Sequence, residues 1–372
     1  MPLPPLKLLL IAGARPNFMK IAPLIKAVEA HNRTGNGNTR AVEFCLVHTG
    51  QHYDEKMSNI FFRELGIPAP HHNLEIGSGS HAVQTANIMI RFEPVCLEEK
   101  PDWVIVVGDV NSTVACTLVA TKLGIRVAHV EAGLRSYDRG MPEEINRLVT
   151  DAIADLLLTP SEDADQNLLR EGVAPKRIRT VGNIMIDSII GRTLPENPTA
   201  ILDRLGLKKE GFLFVTLHRP SNVDDRATLE VIVRELSAIA NEWPVVFPIH
   251  PRTLKNMETF GLSFADSPHL QLIEPVGYHD SLALTENARC LLTDSGGLQE
   301  ESTFFRTPCL TLRPNTERPV TVILGSNRLT TPARLREDLR STLQGPARTG
   351  IIPPYWDGKT AERIVAELLR AG

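Results

Sequence analysis

Asp109, Glu131 and Glu143 are the residues of this chain best suited to acid–base chemistry. The stretch HVEAGLRSYDRGMPEEINRLVTD (129–151) runs from an apolar segment straight into charge, with Glu131, Asp138, Glu143, Glu144 and Asp151 set among Arg135, Arg139 and Arg147. Pro142 suits the first turn of a helix, where Glu143 and Glu144 favour the dipole and Glu143 can pair with Arg147 four residues on. That ordinary account covers Glu144 and Arg147. It leaves unexplained Glu131, which ends a strand, and Asp109 in VVGDVNSTVA, which ends the strand before it. Adjacent parallel strands would bring these two carboxylates together, with the Glu143 helix returning above them. Crowded acids repel, so one keeps its proton while another stays charged, and a general acid coexists with a general base.

A second group of residues suits an anion. In TDSGGLQEE (293–301) a strand ends at Thr293, Ser295 stands where a helix is capped, and Gly296 and Gly297 let a phosphate approach the first amides of the helix. Glu300 reads as an ordinary acid of that first turn; for Glu301 contact with a ribose hydroxyl competes on equal terms. RPNTERP (313–319) offers Arg313 and Arg318, and AGARPNFMK (12–20) offers Arg15 and Lys20 after the first strand. A guanidinium grips phosphate oxygens in pairs. VTLHRPSNVD (215–224) sets His218 and Arg219 at a strand's carboxyl end; His250 in PIHPRT has less company and reads as structural.

The elements that must position these groups follow from the apolar runs. LKLLLIA, VEFCLVH, WVIVVG, IRVAHV, DLLLT and IRTVG are short, rich in aliphatic residues and separated by helix-like stretches. The pattern pauses at GRTLPENPTA (191–200) and restarts with FLFVTLH, PVVFPIH, LQLIEP, ARCLLTD and TPCLTLR. This alternation predicts an α/β chain of two Rossmann-like domains with parallel sheets: residues 1–190, a linker at 191–198, and residues 199–357. The last stretch, 358–372, has helical spacing and is expected to pack back on the first domain. In such folds ligands bind beyond the carboxyl ends of the strands, so two domains facing each other across a cleft would bring both groups of residues to one ligand.

At 372 residues with 42% hydrophobic and 23% charged residues and a net charge of −4, the composition is that of a globular enzyme. Without a Lys/Arg run, nucleic-acid and membrane-surface readings have no support. Five scattered cysteines without a CxxC suit reduced thiols in a cytoplasmic protein. GSGSHA (77–82) matches a dinucleotide pattern but follows no good strand and reads as the start of a helix. GKT (358–360) lacks the rest of a P-loop, and His71–His72 lack ligand spacing, which leaves an exposed loop pair and no metal.

Taken together, GARPNFMKIAPL, HTGQHYD, VVGDVNSTVA, HVEAGLRS, MPEEINR, GNIMID, LHRPSNVD, TDSGGLQEE and NTERP resemble the non-hydrolysing UDP-N-acetylglucosamine 2-epimerases, a family with a GT-B-like fold. The resemblance spans nearly the whole chain. It implies interconversion of UDP-GlcNAc and UDP-ManNAc without an added cofactor, by a homodimer. It also implies that Asp109, Glu131 and Glu143 are catalytic carboxylates and that His218 joins them. Arg15, Lys20, Ser295, Gly296, Gly297, Glu301 and Arg318 would contact the UDP-sugar.

The chain departs from the family's better-known bacterial pattern at ARPNFMK, at HRPSN and at GSGSHAVQT, the last lacking the Gly-Gln pair of regulated members. A hydrolysing 2-epimerase would carry nearly the same acids and differ in its products. A GT-B glycosyltransferase would need an acceptor and has less use for three carboxylates. A non-catalytic sensor gains nothing from acids near an anionic ligand.

Overall fold

The apolar runs become strands because a parallel sheet buries both of its faces and so selects continuous aliphatic sequence. The computed structural model describes residues 4–35, 39–50, 65–192, 196–264 and 267–372. The chain divides into one unit of Met1–Thr193 with Pro354–Gly372 and a second of Leu194–Pro353. In the first, β1 (Leu6–Ala12), β2 (Val42–His48), β3 (His72–Asn73), β4 (Trp103–Val107), β5 (Arg126–Val130), β6 (Leu156–Thr159) and β7 (Ile178–Thr180) form a parallel sheet ordered β3-β2-β1-β4-β5-β6-β7. The second holds β8 (Leu213–Thr216), β9 (Val245–Pro248), β10 (Leu270–Ile273), β11 (Cys290–Thr293), β12 (Cys309–Leu312) and β13 (Asn327–Thr330), ordered β10-β9-β8-β11-β12-β13 and again parallel. Two Rossmann-type sheets in one chain make the GT-B-like α/β fold expected from the sequence.

In each sheet the first and fourth strands lie side by side, and the chain winds outward from that pair in both directions. Such a switch of winding direction opens a crevice at the strands' carboxyl ends. In the first unit the crevice separates β1 from β4, which ends just before Gly108 and Asp109. In the second it separates β8 from β11, which end before His218 and Asp294. The strands that escaped the sequence pattern, β3 and β13, are short, polar sheet edges.

The C-terminal helix Thr360–Ala371 packs on the helices Arg15–Thr34 and Ile184–Ile190 of the first unit and buries Ile364, Val365 and Leu368. The Asp187 carboxylate accepts hydrogen bonds from the Thr360 and Ala361 amides at 3.2 and 2.7 Å. The GKT segment therefore begins a helix whose leading amides are already occupied. Among the described residues no helix is long and apolar enough to cross a membrane.

Gly182, two residues after β7, packs against Tyr355, which lies shortly before that helix. Its φ is +101°, and an added Cβ would lie 2.4 Å from the Tyr355 carbonyl oxygen. Gly182→Ala is expected to lower unfolding free energy by about 2–4 kcal/mol through backbone strain and overlap. Urea denaturation would detect this, and a loss below about 0.5 kcal/mol, the size of an ordinary surface change, would contradict the geometry.

Candidate active site

Glu131 follows β5 with φ at +68°, a left-handed conformation that costs a non-glycine residue about 1–2 kcal/mol. The side chain is buried, and its Oε2 lies 2.5 Å from the Lys20 ammonium, itself buried. Among the described residues the other carboxylate oxygen, Oε1, is buried without a hydrogen-bond partner. The pair lies against Gly108, where an added Cβ would meet Lys20 Nζ at 2.8 Å and Glu131 Oε2 at 3.8 Å. Asn17 fixes the same corner: its Oδ1 accepts from the Gly13 and Ala14 amides, and its Nδ2 donates to the Val107 carbonyl.

Asp109 follows Gly108 and is part-exposed, with Oδ2 at 2.5 Å from Arg147 Nη2. Arg147 is buried and also donates to Glu144 at 2.7 Å. The expected pairing of Arg147 with Glu143 is thus replaced by one with Glu144 and Asp109, because Glu144 faces inward. Glu144 accepts from the Ser136 amide and hydroxyl and the Tyr137 amide. Neither Glu144 nor Arg147 is an ordinary surface charge of the helix Pro142–Ile153. Glu143 lies in the first turn of that helix and is half-buried. The expected crowding of bare acids also needs correction: Asp109 and Glu131 each have a cation at 2.5 Å. Arg15 opens the first helix, and its side chain lies outside the described residues.

In the second unit Asp294 is fully buried and organises the strand ends. It accepts from the His218 and Arg219 amides and from Asn222 Nδ2, and its Oδ1 lies 3.0 Å from His218 Nδ1. Asp294 was visible in the sequence only as a strand-end residue; what marks it out is its set of donors. With Nδ1 turned to Asp294, the other nitrogen of the half-exposed His218 ring is the one directed away from this carboxylate. His250 caps the helix Pro251–Phe260 through its ring nitrogen, and its ring centre lies 5.6 Å from that of His218 with the planes tilted by 39°.

The helix Gly296–Phe305 begins just after Asp294. Ser295 is its N-cap by backbone geometry but makes no side-chain capping bond, contrary to the sequence expectation. Gly297 faces open space, whereas a Cβ on Gly296 would lie 2.8 Å from Arg318 Nη1. Glu300 and Glu301 lie past the first turn and are buried, so dipole complementarity does not account for either. Glu300 pairs with Arg318 at 3.0 Å, Glu317 also binds Arg318, and Arg313 binds Glu317 at 2.7 Å. The two arginines are thus balanced by two buried acids, and the helix amides add the anion-attracting field.

His72 proves to be a β3 residue bonded to Glu99 at 2.7 Å rather than part of an exposed loop pair. Cys45, His72 and Glu99 have ligand atoms within 4.8 Å of one another. Lys7 also lies 2.6 Å from Glu99, and burial with the nearby Glu99 pushes the Cys45 thiol up to about 12. A metal needs the thiolate, so this set has the chemistry of an ion pair. Ser80 caps the helix His81–Glu99 through Val83, as the GSGSHA reading requires.

Burial pushes the Asp294 carboxyl up, but the His218 contact and the amide donors outweigh it and hold it below the usual range. A carboxyl lowered in the folded state stabilises above its unfolded value of about 3.9 and loses that contribution as pH falls through the folded one. Asp294→Asn should therefore be destabilised at neutral pH, with the deficit shrinking below about pH 4. Urea titrations across that range check this; a deficit independent of pH would refute it.

The family model for UDP-N-acetylglucosamine 2-epimerase matches residues 36–369. A UDP-N-acetylglucosamine 2-epimerase of Methanocaldococcus jannaschii is 43% identical over 368 residues, covering 97% of this chain and 98% of that protein. A UDP-2,3-diacetamido-2,3-dideoxy-D-glucuronate 2-epimerase of Pseudomonas aeruginosa is 40% identical, covering 98% and 100%. The crystal structure of the Methanocaldococcus jannaschii UDP-GlcNAc 2-epimerase in complex with UDP-GlcNAc and UDP superposes with a TM-score of 0.87 at 42% identity, covering 99% of this chain and 100% of that one. With a match to nearly all of its length and strand-end carboxylates in place, the chain belongs to the UDP-N-acetylglucosamine 2-epimerase family.

Proposed function

We propose that the protein inverts carbon 2 of UDP-N-acetylglucosamine to give UDP-N-acetylmannosamine, reversibly and without hydrolysis. The observation that carries this reading is Glu131: a buried carboxylate in a strained backbone, with one oxygen on Lys20 and the other unpartnered among the described residues. Strain at a strand end is retained where function needs the geometry.

The proton on carbon 2 is not acidic, since no carbonyl adjoins it. The reaction therefore couples its removal to departure of UDP. A carboxylate takes the proton, the C–H electrons form the C1–C2 double bond, and the bond from C1 to the diphosphate oxygen breaks. The product pair is a 2-acetamidoglucal and UDP. Return requires a proton delivered to the opposite face of carbon 2 and attack of the diphosphate oxygen on C1. Asp109, Glu131 and Glu143 are the acid–base groups for these steps. His218, the helix amides after Ser295, Gly296, Gly297, Glu301 and Arg318 hold the nucleotide as charge develops on its diphosphate. Within the first unit, Arg15 and Lys20 of the first helix are the proposed substrate-binding cations.

A second sugar deserves testing, because a relative at 40% identity over the full length is named for a 2,3-diacetamido glucuronate. Product analysis with each sugar nucleotide separates the two, and release of free N-acetylmannosamine with UDP would instead mark a hydrolysing enzyme. Five buried, unpaired cysteines suit a reducing cytoplasm.

Turnover of UDP-GlcNAc in heavy water should place deuterium at carbon 2 of the product. Glu131→Gln and Asp109→Asn should each lower kcat by about 100-fold or more while UDP binding persists. Product free of deuterium in a mass spectrum would overturn the elimination route.

A homodimer is the assembly proposed. On the helix His81–Glu99, Val83, Ile90 and Leu97 recur every seven residues and are 55%, 69% and 57% exposed, while Ile88, Phe92 and Val95 fill the core on the other side. Three large apolar side chains on one exposed helix face are a surface that a second copy of the chain could cover. Ile90→Glu should yield monomers in sedimentation velocity; a wild-type protein that is already monomeric, or a variant that stays dimeric, would exclude this surface.

A further inference from the structure

We propose that His129 is a positioning residue for the reaction, carrying both ring protons and bracing the loop of Asp109 against the loop of Glu131. The proposal rests on the acid–base roles assigned above to those two carboxylates.

His129 lies in β5, in register with Val106 on β4 and Leu157 on β6, and is fully buried. An aliphatic residue would suit that position between two others. A buried imidazole there costs free energy unless both nitrogens are satisfied, and both are. Nδ1 lies 2.6 Å from Asp151 Oδ1, and Nε2 lies 2.8 Å from the Gly108 carbonyl oxygen.

The partners decide the protonation state. The other oxygen of Asp151 accepts from the Gly133 amide at 3.0 Å and lies 2.7 Å from Arg135 Nη1. Asp151 is thus an acceptor-only carboxylate: burial alone would raise it, and His129 and Arg135 together hold it below the usual range. A peptide carbonyl is also acceptor-only. With an acceptor at each nitrogen, the ring donates from both and is an imidazolium. Its charge and that of Arg135 are balanced by Asp151 and by Glu171, which Arg135 grips with two bonds at 2.8 and 2.7 Å.

The two ends of this brace reach the two reactive loops. The Gly108 carbonyl belongs to the peptide group that carries the Asp109 nitrogen. Gly133, held through Asp151, is two residues beyond Glu131. That loop has no slack: Gly133 has φ at +79°, and an added Cβ would lie 2.5 Å from the Ala164 carbonyl oxygen. Buried ionic groups contribute little net stability compared with apolar replacements. What they fix is geometry, and here it is the relative placement of two catalytic carboxylates.

The test has two arms. Spectra of the protein labelled with ¹⁵N-histidine, at the pH of the activity assay, should show one histidine with hydrogens on both ring nitrogens, lost in His129→Gln. In that variant kcat and the rate of deuterium entry at carbon 2 should fall together by about 10- to 100-fold, the scale for a displaced catalytic group, with calorimetric UDP affinity unchanged because His129 bonds to Asp151 and the Gly108 carbonyl and to none of the residues assigned to the nucleotide. A ring with one proton, an unchanged kcat, or equal losses in kcat and UDP affinity would each overturn the proposal. If the variant fails to fold, the wild-type spectrum still decides against a neutral ring. Wild-type protein that neither epimerises nor exchanges carbon 2 would instead sink the reading of Asp109 and Glu131, with the ring protonation still readable.

Discussion

The ion pair between Lys20 and Glu131 is the contact on which the first unit's site depends. A buried carboxylate cannot stay charged without a partner, because the desolvation cost would exceed any local gain. Lys20 supplies that partner from the first helix, across the crevice between β1 and β4, at 2.5 Å. The contact constrains its surroundings. Gly108 must lack a side chain to leave room for the ammonium, and Asn17 must hold the β1 and β4 ends in register beneath it. The left-handed backbone of Glu131 is tolerated because these contacts leave the loop no other path.

The same economy of charge runs through the rest of the chemistry. Arg147 joins Asp109 to Glu144, Arg135 joins Asp151 to Glu171, and Arg318 joins Glu300 to Glu317. Each arginine reaches two acids with one planar fork, so a cluster of titratable groups remains rigid and close to neutral. A carboxylate held in this way has its orientation fixed by its partners, the arrangement that preorganised sites use. Asp294 does similar work for His218, fixing one ring nitrogen and two backbone amides at once.

Both units place candidate site residues at the same topological position. Where winding reverses, the loops after two adjacent strands diverge, and side chains at the strand ends stand clear of the helices. Asp109 follows one such strand, and His218 and Asp294 follow the corresponding pair in the second sheet. The glycines and acids that looked irregular in an apolar sequence are those that close these crevices.

The sequence by itself determined the fold class, because aliphatic runs of strand length alternating with amphipathic segments have few other ways to bury their surface. It also singled out Glu131 and Asp109, since an acid ending an apolar strand has no packing reason to be there. Only the tertiary structure decided the partners. Arg147 chose Glu144 and Asp109 over Glu143 because helix orientation, not spacing, sets which carboxylate faces inward. Glu300 and Glu317 bind Arg313 and Arg318, which the sequence offered as anion-binding cations, and make them part of a balanced cluster. His129 looked like one more strand residue, and its partners, the Gly108 carbonyl and Asp151, lie 21 and 22 residues away in the chain. Hydrogen-bond partners distant in sequence leave no local pattern, since what selects them is position in the folded sheet.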